Sequence, residues 1–312
     1  MLARSTVNRQ GKVVVTAALN GVLTDPRLFP DVKIPVTPKE MATAAKEAWD
    51  EGAVCMHVHF RDQREGKGHL PTWDPAVAAD ISHAIREAVP GAILNFTTGT
   101  MGNHGPLGGG KLGPTGGPIA CLDAALPEIA ALNAGSLNYL KTKKDGSWAW
   151  PPAHFENPVE KISTMFNAMR ERDIIPECEC FDTGIVRSIR MFVENGMLSS
   201  HNFSCSLVMG VASGMPCNAE WLPLLIKELP EDTNWQVIAI GRADTVWDTL
   251  RRCAELGGNV RTGVEDTFYL PDGSRARTSG ELIRALVAIC RECGREPATA
   301  EEARDIFGCR GI

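Results

Sequence analysis

Ala53-Val54-Cys55-Met56-His57-Val58-His59-Phe60 is the stretch on which the reading of this chain turns. It is an apolar run of strand length, set off from a helical stretch by Gly52, and its carboxyl end carries two imidazoles. Residues i and i+2 of a strand face one side, so both rings point into one space. Their backbones stand about 7 Å apart by strand rise. That is within reach of one ion at Zn–N distances of roughly 2 Å. Such a pair needs a third ligand, and Arg261-Thr262-Gly263-Val264-Glu265-Asp266 offers one.

On either side of this run, strand and helix signals alternate. Val13–Leu19 is the first predicted strand, and Pro38–Trp49 a helix. After the quoted strand come Asp74–Ala88 as a helix and Ala92–Thr98 as a strand. The spacing of Leu, Ala and Ile predicts a helix over Ile119–Leu132, then a short fourth strand at Ser136–Leu140. Pro158–Arg172, Gly184–Asn195, Asn218–Lys227, Ala243–Leu256 and Ser279–Cys293 read as helices. Between them lie strands at Glu177–Phe181, Asn202–Met209, Trp235–Ile240 and Asn259–Val264. Eight strand–helix beats favour an α/β fold of the closed (β/α)8 TIM barrel kind over an open doubly wound sheet. The expected organisation is one barrel domain over 1–312, with a Gly-rich loop at 99–117 and a C-terminal helical extension.

Composition agrees with an enzyme of this type. The chain has 312 residues, 44% of them hydrophobic, with formal net charge −6 and pI ≈ 5.7. A mildly acidic chain without clustered Lys and Arg gives no electrostatic case for nucleic acid or a membrane surface. No apolar stretch has the length of a spanning helix. The start lacks the apolar middle of a signal peptide. Ten scattered cysteines without a secreted-type framework point to free thiols and the cytoplasm.

Barrels place their chemistry at the carboxyl ends of the strands. Here those ends carry Asn20-Gly21, the His pair, Thr97-Thr98-Gly99-Thr100, Ser136 and Asn138, Glu179 with Asp182 and Thr183, and Glu265-Asp266. Arg261, Gly263 and Glu265 share a face by alternation, with Gly263 leaving room above Arg261. Glu265 can then meet the His pair and close a His2Glu metal site with an open position for substrate. Asp266 would face outward in an ideal strand and reaches the site only if the chain bends there. Beside a cation and a guanidinium it would stay ionised, available as a general base.

A His in a strand is more often a core or surface residue, and an acidic pair is more often a solvated turn. It is their combination on strands that close against each other that favours a metal site. The Gly-rich loop contains Gly110-Lys111 followed by Leu112, so the hydroxyl residue of a Walker loop is missing. Cys178 with Cys180, and Cys290 with Cys293, read as buried thiols and not as a second zinc site. His69, His83, His104, His154 and His201 show no ligand spacing.

Taken in order, Thr16-Ala17-Ala18-Leu19-Asn20-Gly21, His57-Val58-His59-Phe60-Arg61-Asp62 and Asn133-Ala134-Gly135-Ser136-Leu137-Asn138 resemble one family. Pro176-Glu177-Cys178-Glu179-Cys180-Phe181-Asp182, Gly257-Gly258-Asn259-Val260-Arg261 and Gly263-Val264-Glu265-Asp266 extend the likeness, which runs from about Val13 to Pro271. The chain is similar to the β-keto acid cleavage enzymes, also called 3-keto-5-aminohexanoate cleavage enzymes. The resemblance implies a zinc-dependent barrel, usually a homotetramer, that condenses a β-keto acid with acetyl-CoA to give acetoacetate and a new acyl-CoA. By that likeness His57, His59 and Glu265 hold zinc, and Asp266 is the base, oriented by Arg261 and Thr97. Thr98, Gly99 and Thr100 would form the substrate rim. Ser136 and Asn138 would touch substrate or thioester oxygens, and Glu179 would support Arg261.

Other readings fit less well. A lyase of the hydroxymethylglutaryl-CoA type carries its His pair late in the barrel. A metal-dependent amidohydrolase needs further His ligands on strands five and six. A non-catalytic barrel has no reason to keep ligand, base and Arg together.

Where family members handling the amino-bearing substrate carry Glu, this chain has Leu23. Where the strand-three rim often reads Ser-Thr-Gly-Gly, it has Thr97-Thr98-Gly99-Thr100. A substrate ammonium facing Leu23 would be left without a counter-charge, which is costly when buried. The expected substrate therefore has an uncharged or apolar tail. Leu23→Glu should raise turnover of 3-keto-5-aminohexanoate while sparing neutral β-keto acids, and an unchanged substrate profile would remove Leu23 from the substrate pocket.

Overall fold

The computed structural model describes residues 11–21, 24–99, 117–149 and 151–309. Leu23, Thr100, His104 and nearly all of the Gly-rich loop lie outside them.

Eight parallel strands close into a barrel. They are β1 (Val15–Ala18), β2 (Cys55–Val58), β3 (Ile93–Thr97), β4 (Ile129–Asn133), β5 (Ile175–Cys180), β6 (Ser204–Met209), β7 (Asn234–Ala239) and β8 (Asn259–Thr262). Neighbours in sequence are neighbours in space, and β8 pairs with β1 to complete the ring. Around it run α1 (Pro38–Asp50), α2 (Pro75–Ala88), α3 (Pro118–Ala125), α4 (Val159–Glu171), α5 (Thr183–Glu194), α6 (Leu222–Glu228), α7 (Ala243–Glu255), α8 (Ser279–Glu292) and α9 (Ala300–Phe307). The helices begin where local chemistry says they should. In α1, Thr37 and Glu40 form a reciprocal capping box ahead of Pro38, and Met41, Ala45 and Ala48 fall on the buried face.

Two expected elements are different. The helix predicted over Ile119–Leu132 is the short α3, which ends at Leu126 in a left-handed conformation (φ 48°). Pro127 follows and cannot continue a helix. Ile129–Asn133 is then β4, a central barrel strand. The predicted fourth strand at Ser136–Leu140 is a strand, but outside the barrel. Leu137–Tyr139 pairs antiparallel with Ala153–Phe155 as a hairpin beyond the end of β4. A five-residue apolar strand and a buried helical segment have the same composition, and only the Leu126-Pro127 break separates them here.

The barrel interior is graded along its axis. At the amino-terminal floor, Cys55, Ile93, Ile129 and Ile175 pack with Ala303 and Phe307 of α9, which plugs that end. Arg304 of α9 donates to Gly91 O at 3.1 Å and fastens the plug. Midway, Asn95, Glu177, Ser206 and Gln236 are buried polar residues, and the mouth above them is lined by His59, Glu179, Arg261 and Glu265. The opposite faces of the strands, Met56, Phe96 and Leu207 among them, pack in the main apolar core. β1 and β8 approach closely because Gly263 has no side chain: a Cβ there would lie 2.0 Å from Ala18 O. The glycine thus serves the contact with β1, where the sequence pattern suggested room above Arg261.

Among the described residues no helix is long and apolar enough to cross a membrane. All ten cysteines are free, and eight are buried, including Cys178, Cys180 and Cys290. Phe307→Ala should lower unfolding free energy by about 3 kcal/mol through the cavity left at the floor; urea denaturation of both proteins measures this.

Candidate active site

The mouth of the barrel is a cavity of about 150 Å³ with two unlike sides. His59, Thr97, Asn133, Glu179, Arg261 and Glu265 form one, while Val208, Val211, Ile238, Ile240, Phe155 and Phe181 form much of the other.

β2 delivers the His pair. His57 is its third residue, in register with Ala18 of β1 and Asn95 of β3. His59 follows the strand, where Asn20 holds its backbone twice: His59 N donates to Asn20 Oδ1 at 2.9 Å, and Asn20 Nδ2 donates to His59 O at 3.1 Å. The two Nε2 atoms come within 3.2 Å. Glu265 Oε1 is 3.1 Å from His59 Nε2, and Oε2 is 3.6 Å from His57 Nε2. Ligands at 2.0–2.1 Å in a tetrahedral shell lie roughly 3.3 Å apart, so these three fit a single ion. No other set of three or more His, Cys, Asp or Glu ligands converges so closely among the described residues. Burial, reinforced by Arg261, holds His57 well below the usual histidine range. The ring is therefore neutral, as a metal ligand must be.

The bend expected after β8 is present. The strand stops at Thr262, and Asp266 N and Thr267 N both donate to Gly263 O, at 3.0 and 3.1 Å. This turn brings Asp266 back over Arg261, which grips it through Nε (3.1 Å) and Nη2 (3.0 Å). Nη2 also lies 3.0 Å from Glu265 Oε2. One guanidinium therefore positions the carboxylate of the metal site and the carboxylate beside it. For Glu265, burial works upward, but Arg261, His59 and His57 together bring it below the usual range. For Asp266, burial dominates and pushes the carboxyl up to about 6 against the pull of Arg261. A guanidinium alone would hold the carboxyl down; burial, which the sequence does not display, outweighs it.

Glu179, near the end of β5, stands 3.9 Å from Arg261 Nη1 and accepts from Asn133 Nδ2 at 2.7 Å. Burial pushes it up to about 8, with Arg261 opposing and Glu177, Glu265 and Asp266 adding to the rise. Thr97 and Gly99 line the cavity, and Thr97 Oγ1 accepts from Gly99 N at 3.2 Å. Thr98 points elsewhere: its hydroxyl is buried and donates to Ala131 O at 2.7 Å. Ser136 accepts from Asn157 N at 2.7 Å, and Asn138 is exposed on the hairpin. Neither lines the cavity. Asp182 caps α5 by accepting from Ile185 N at 2.8 Å.

The sequence profile of the beta-keto acid cleavage enzymes matches residues 12–309. The chain belongs to that family. It is thereby an acyl-transferring, carbon–carbon bond-cleaving enzyme. It is 28% identical over 298 residues to a 3-oxoadipate:acetyl-CoA acetyltransferase of Cupriavidus necator, covering 95% of this chain and 94% of the relative. A 3-keto-5-aminohexanoate cleavage enzyme of Acetoanaerobium sticklandii is 30% identical over 298 residues, covering 95% and 98%. Among solved structures, apo ObcA superposes with a TM-score of 0.68 at 18% identity, covering 90% of this chain and 66% of that longer one. That likeness concerns the fold alone.

Within this family member, three site residues were not singled out by their patterns. Asn133 ends an apolar run as the other rim residues do, but that run had been assigned to a helix. Asn20 stands at the end of the first strand with no role that its spacing assigns, and the structure gives it one as the clamp on the His59 backbone. Gly21 faces Glu265 so closely that a Cβ would lie 2.4 Å from Glu265 Cγ. Gly21→Ala should therefore leave the fold intact and weaken Zn²⁺ binding at least about tenfold by displacing a ligand; chelator-competition titration and a melting curve read the two effects separately.

Proposed function

We propose that this enzyme exchanges acyl groups between a β-keto acid with an uncharged tail and acetyl-CoA, using zinc held by His57, His59 and Glu265. The observation that carries the reading is the convergence of these three ligands on one point, with the ligand Glu265 and the neighbouring Asp266 both held by the single guanidinium of Arg261. Bound there, a divalent ion would supply a Lewis acid that stabilises negative charge on keto and carboxylate oxygens.

The residues themselves account for the proton handling. Asp266 takes a proton from the carbon between the ketone and the carboxylate, and Arg261 fixes the direction from which it does so. The resulting carbanion attacks the acetyl carbonyl of acetyl-CoA, forming a carbon–carbon bond and releasing the CoA thiolate. That thiolate attacks the original keto carbon. The old carbon–carbon bond breaks, leaving a new acyl-CoA and the enolate of acetoacetate, which recovers its proton from Asp266. Thr97 lies at the same rim and orients the reacting oxygens, with Gly99 leaving space beside it. Glu179 supports Arg261 from the side away from Asp266.

The tail preference draws on the far wall of the cavity. Val208, Val211, Ile238 and Ile240 offer nothing to compensate a charge, and among the described lining residues the charged groups all sit at the ligand end. Relatives are named for 3-oxoadipate, 3-keto-5-aminohexanoate and 3-dehydrocarnitine, so the tail is where family members differ. The whole chain would act as one barrel, as a homotetramer in the cytoplasm.

A coupled assay on metal-analysed protein tests this. Acetoacetate should form from acetyl-CoA and neutral β-keto acids, with bound zinc near one per chain. His57→Ala and Asp266→Asn should each lower turnover by at least about a thousandfold. Zinc-loaded protein that yields no acetoacetate across a broad panel would overturn the reaction assigned here.

A further inference from the structure

Below the mouth, a buried polar chain crosses the barrel and ends at Asn95, the neighbour of His57 on the adjoining strand. Gln236 Nε2 on β7 donates to Ser206 Oγ on β6 at 3.0 Å. Ser206 Oγ donates to Glu177 Oε1 on β5 at 2.7 Å. Asn95 Nδ2 on β3 donates to Glu177 Oε2 at 2.5 Å. All four side chains are buried, and no Lys or Arg pairs with Glu177 among the described residues. A barrel does not need a carboxylate at its centre for stability. Apolar filling is the usual solution, and a buried charge is costly without compensation.

The direction of the hydrogen bonds gives the carboxylate a purpose. A carboxylate only accepts, so Asn95 must turn its amide nitrogen toward Glu177 and its Oδ1 away. Asn95 is in register with His57 on the neighbouring strand. Asn95 Oδ1 and His57 Nδ1 are both buried, and neither has a hydrogen-bond partner of full geometry among the described residues. With Nε2 given to a metal, Nδ1 carries the remaining proton and needs an acceptor.

We infer that Glu177 and Asn95 are positioning residues that hold His57 as its Nδ1–H tautomer, with the Nε2 lone pair aimed at the metal position. This rests on the metal reading above. Glu177 orients Asn95, Asn95 Oδ1 accepts from His57 Nδ1–H, and Ser206 with Gln236 keeps the second Glu177 oxygen occupied so that the carboxylate cannot swing. The ligand is thereby set before any ion arrives.

The test uses the full chain stripped of metal. ¹⁵N-histidine NMR, with the His57 ring assigned by its absence in His57→Ala, should show the Nδ1–H tautomer in the wild type. Asn95→Ala should mix the tautomers and weaken Zn²⁺ binding about 10- to 100-fold by chelator competition. Glu177→Gln, which keeps the shape and lets the Asn95 amide turn, should move both readouts the same way by a smaller factor, about threefold or more. An Nε2–H ring in the wild type overturns the relay, as does Asn95→Ala binding Zn²⁺ within twofold of the wild type. Should Asn95→Ala fail to fold, Glu177→Gln with unchanged tautomer and affinity overturns it equally. If His57→Ala binds Zn²⁺ as tightly as the wild type, the metal reading fails instead, and the tautomer of the metal-free protein still decides the relay.

Discussion

Everything at the mouth of this barrel depends on one buried guanidinium. Arg261 is 1% exposed, and Asp266, Glu265 and Glu179 all face it. Three carboxylates could not remain together out of water without it, since each would repel the others and lose its hydration. The arrangement still holds more carboxylate than guanidinium. Burial, added to by the neighbouring carboxylates, pushes Glu179 up to about 8. The excess negative potential left over is the field that a divalent cation between His57, His59 and Glu265 would meet. Arginine suits the position because it stays charged when buried and its planar fork can face several acceptors at once.

Much of this was readable from the order of residues alone. The strand period places His57 and His59 on one face, and chain order alone sets β8 against β1, so Glu265 can be placed near the pair. The failures have identifiable causes. Ile129–Leu132 is apolar at every position, which carries no period and therefore no preference between helix and strand. Misplacing that strand also moved the expected rim residue from Asn133 to Ser136 and Asn138. Asp266 depended on a turn that no periodicity encodes, although the demand for a bend was visible. The polar chain from Gln236 to Asn95 was hidden because its members lie on four strands, and only the register brings them to one level.

The interior divides its labour along the axis. The floor is apolar and closed by α9, the middle is polar and fully buried, and the mouth is charged and open. Stability is concentrated at one end, and the chemistry sits at the other, so loop changes at the rim can alter what is bound without disturbing the core that holds the strands.

The closure of the ring also sets an order of events during synthesis. β1 pairs with β8, and Lys12–Val13 pairs with Glu296–Pro297, while Arg295 donates to Lys12 O at 2.6 Å. The β8 partner of β1 is thus synthesised about 245 residues after it (Val15 against Val260). At 5–20 residues per second, β1 waits on the order of 10–50 s with one edge unpaired. An open, apolar strand edge of that lifetime is a template for the wrong neighbour. Closure of the ring removes that edge, so the finished barrel presents no open strand where the nascent sheet does.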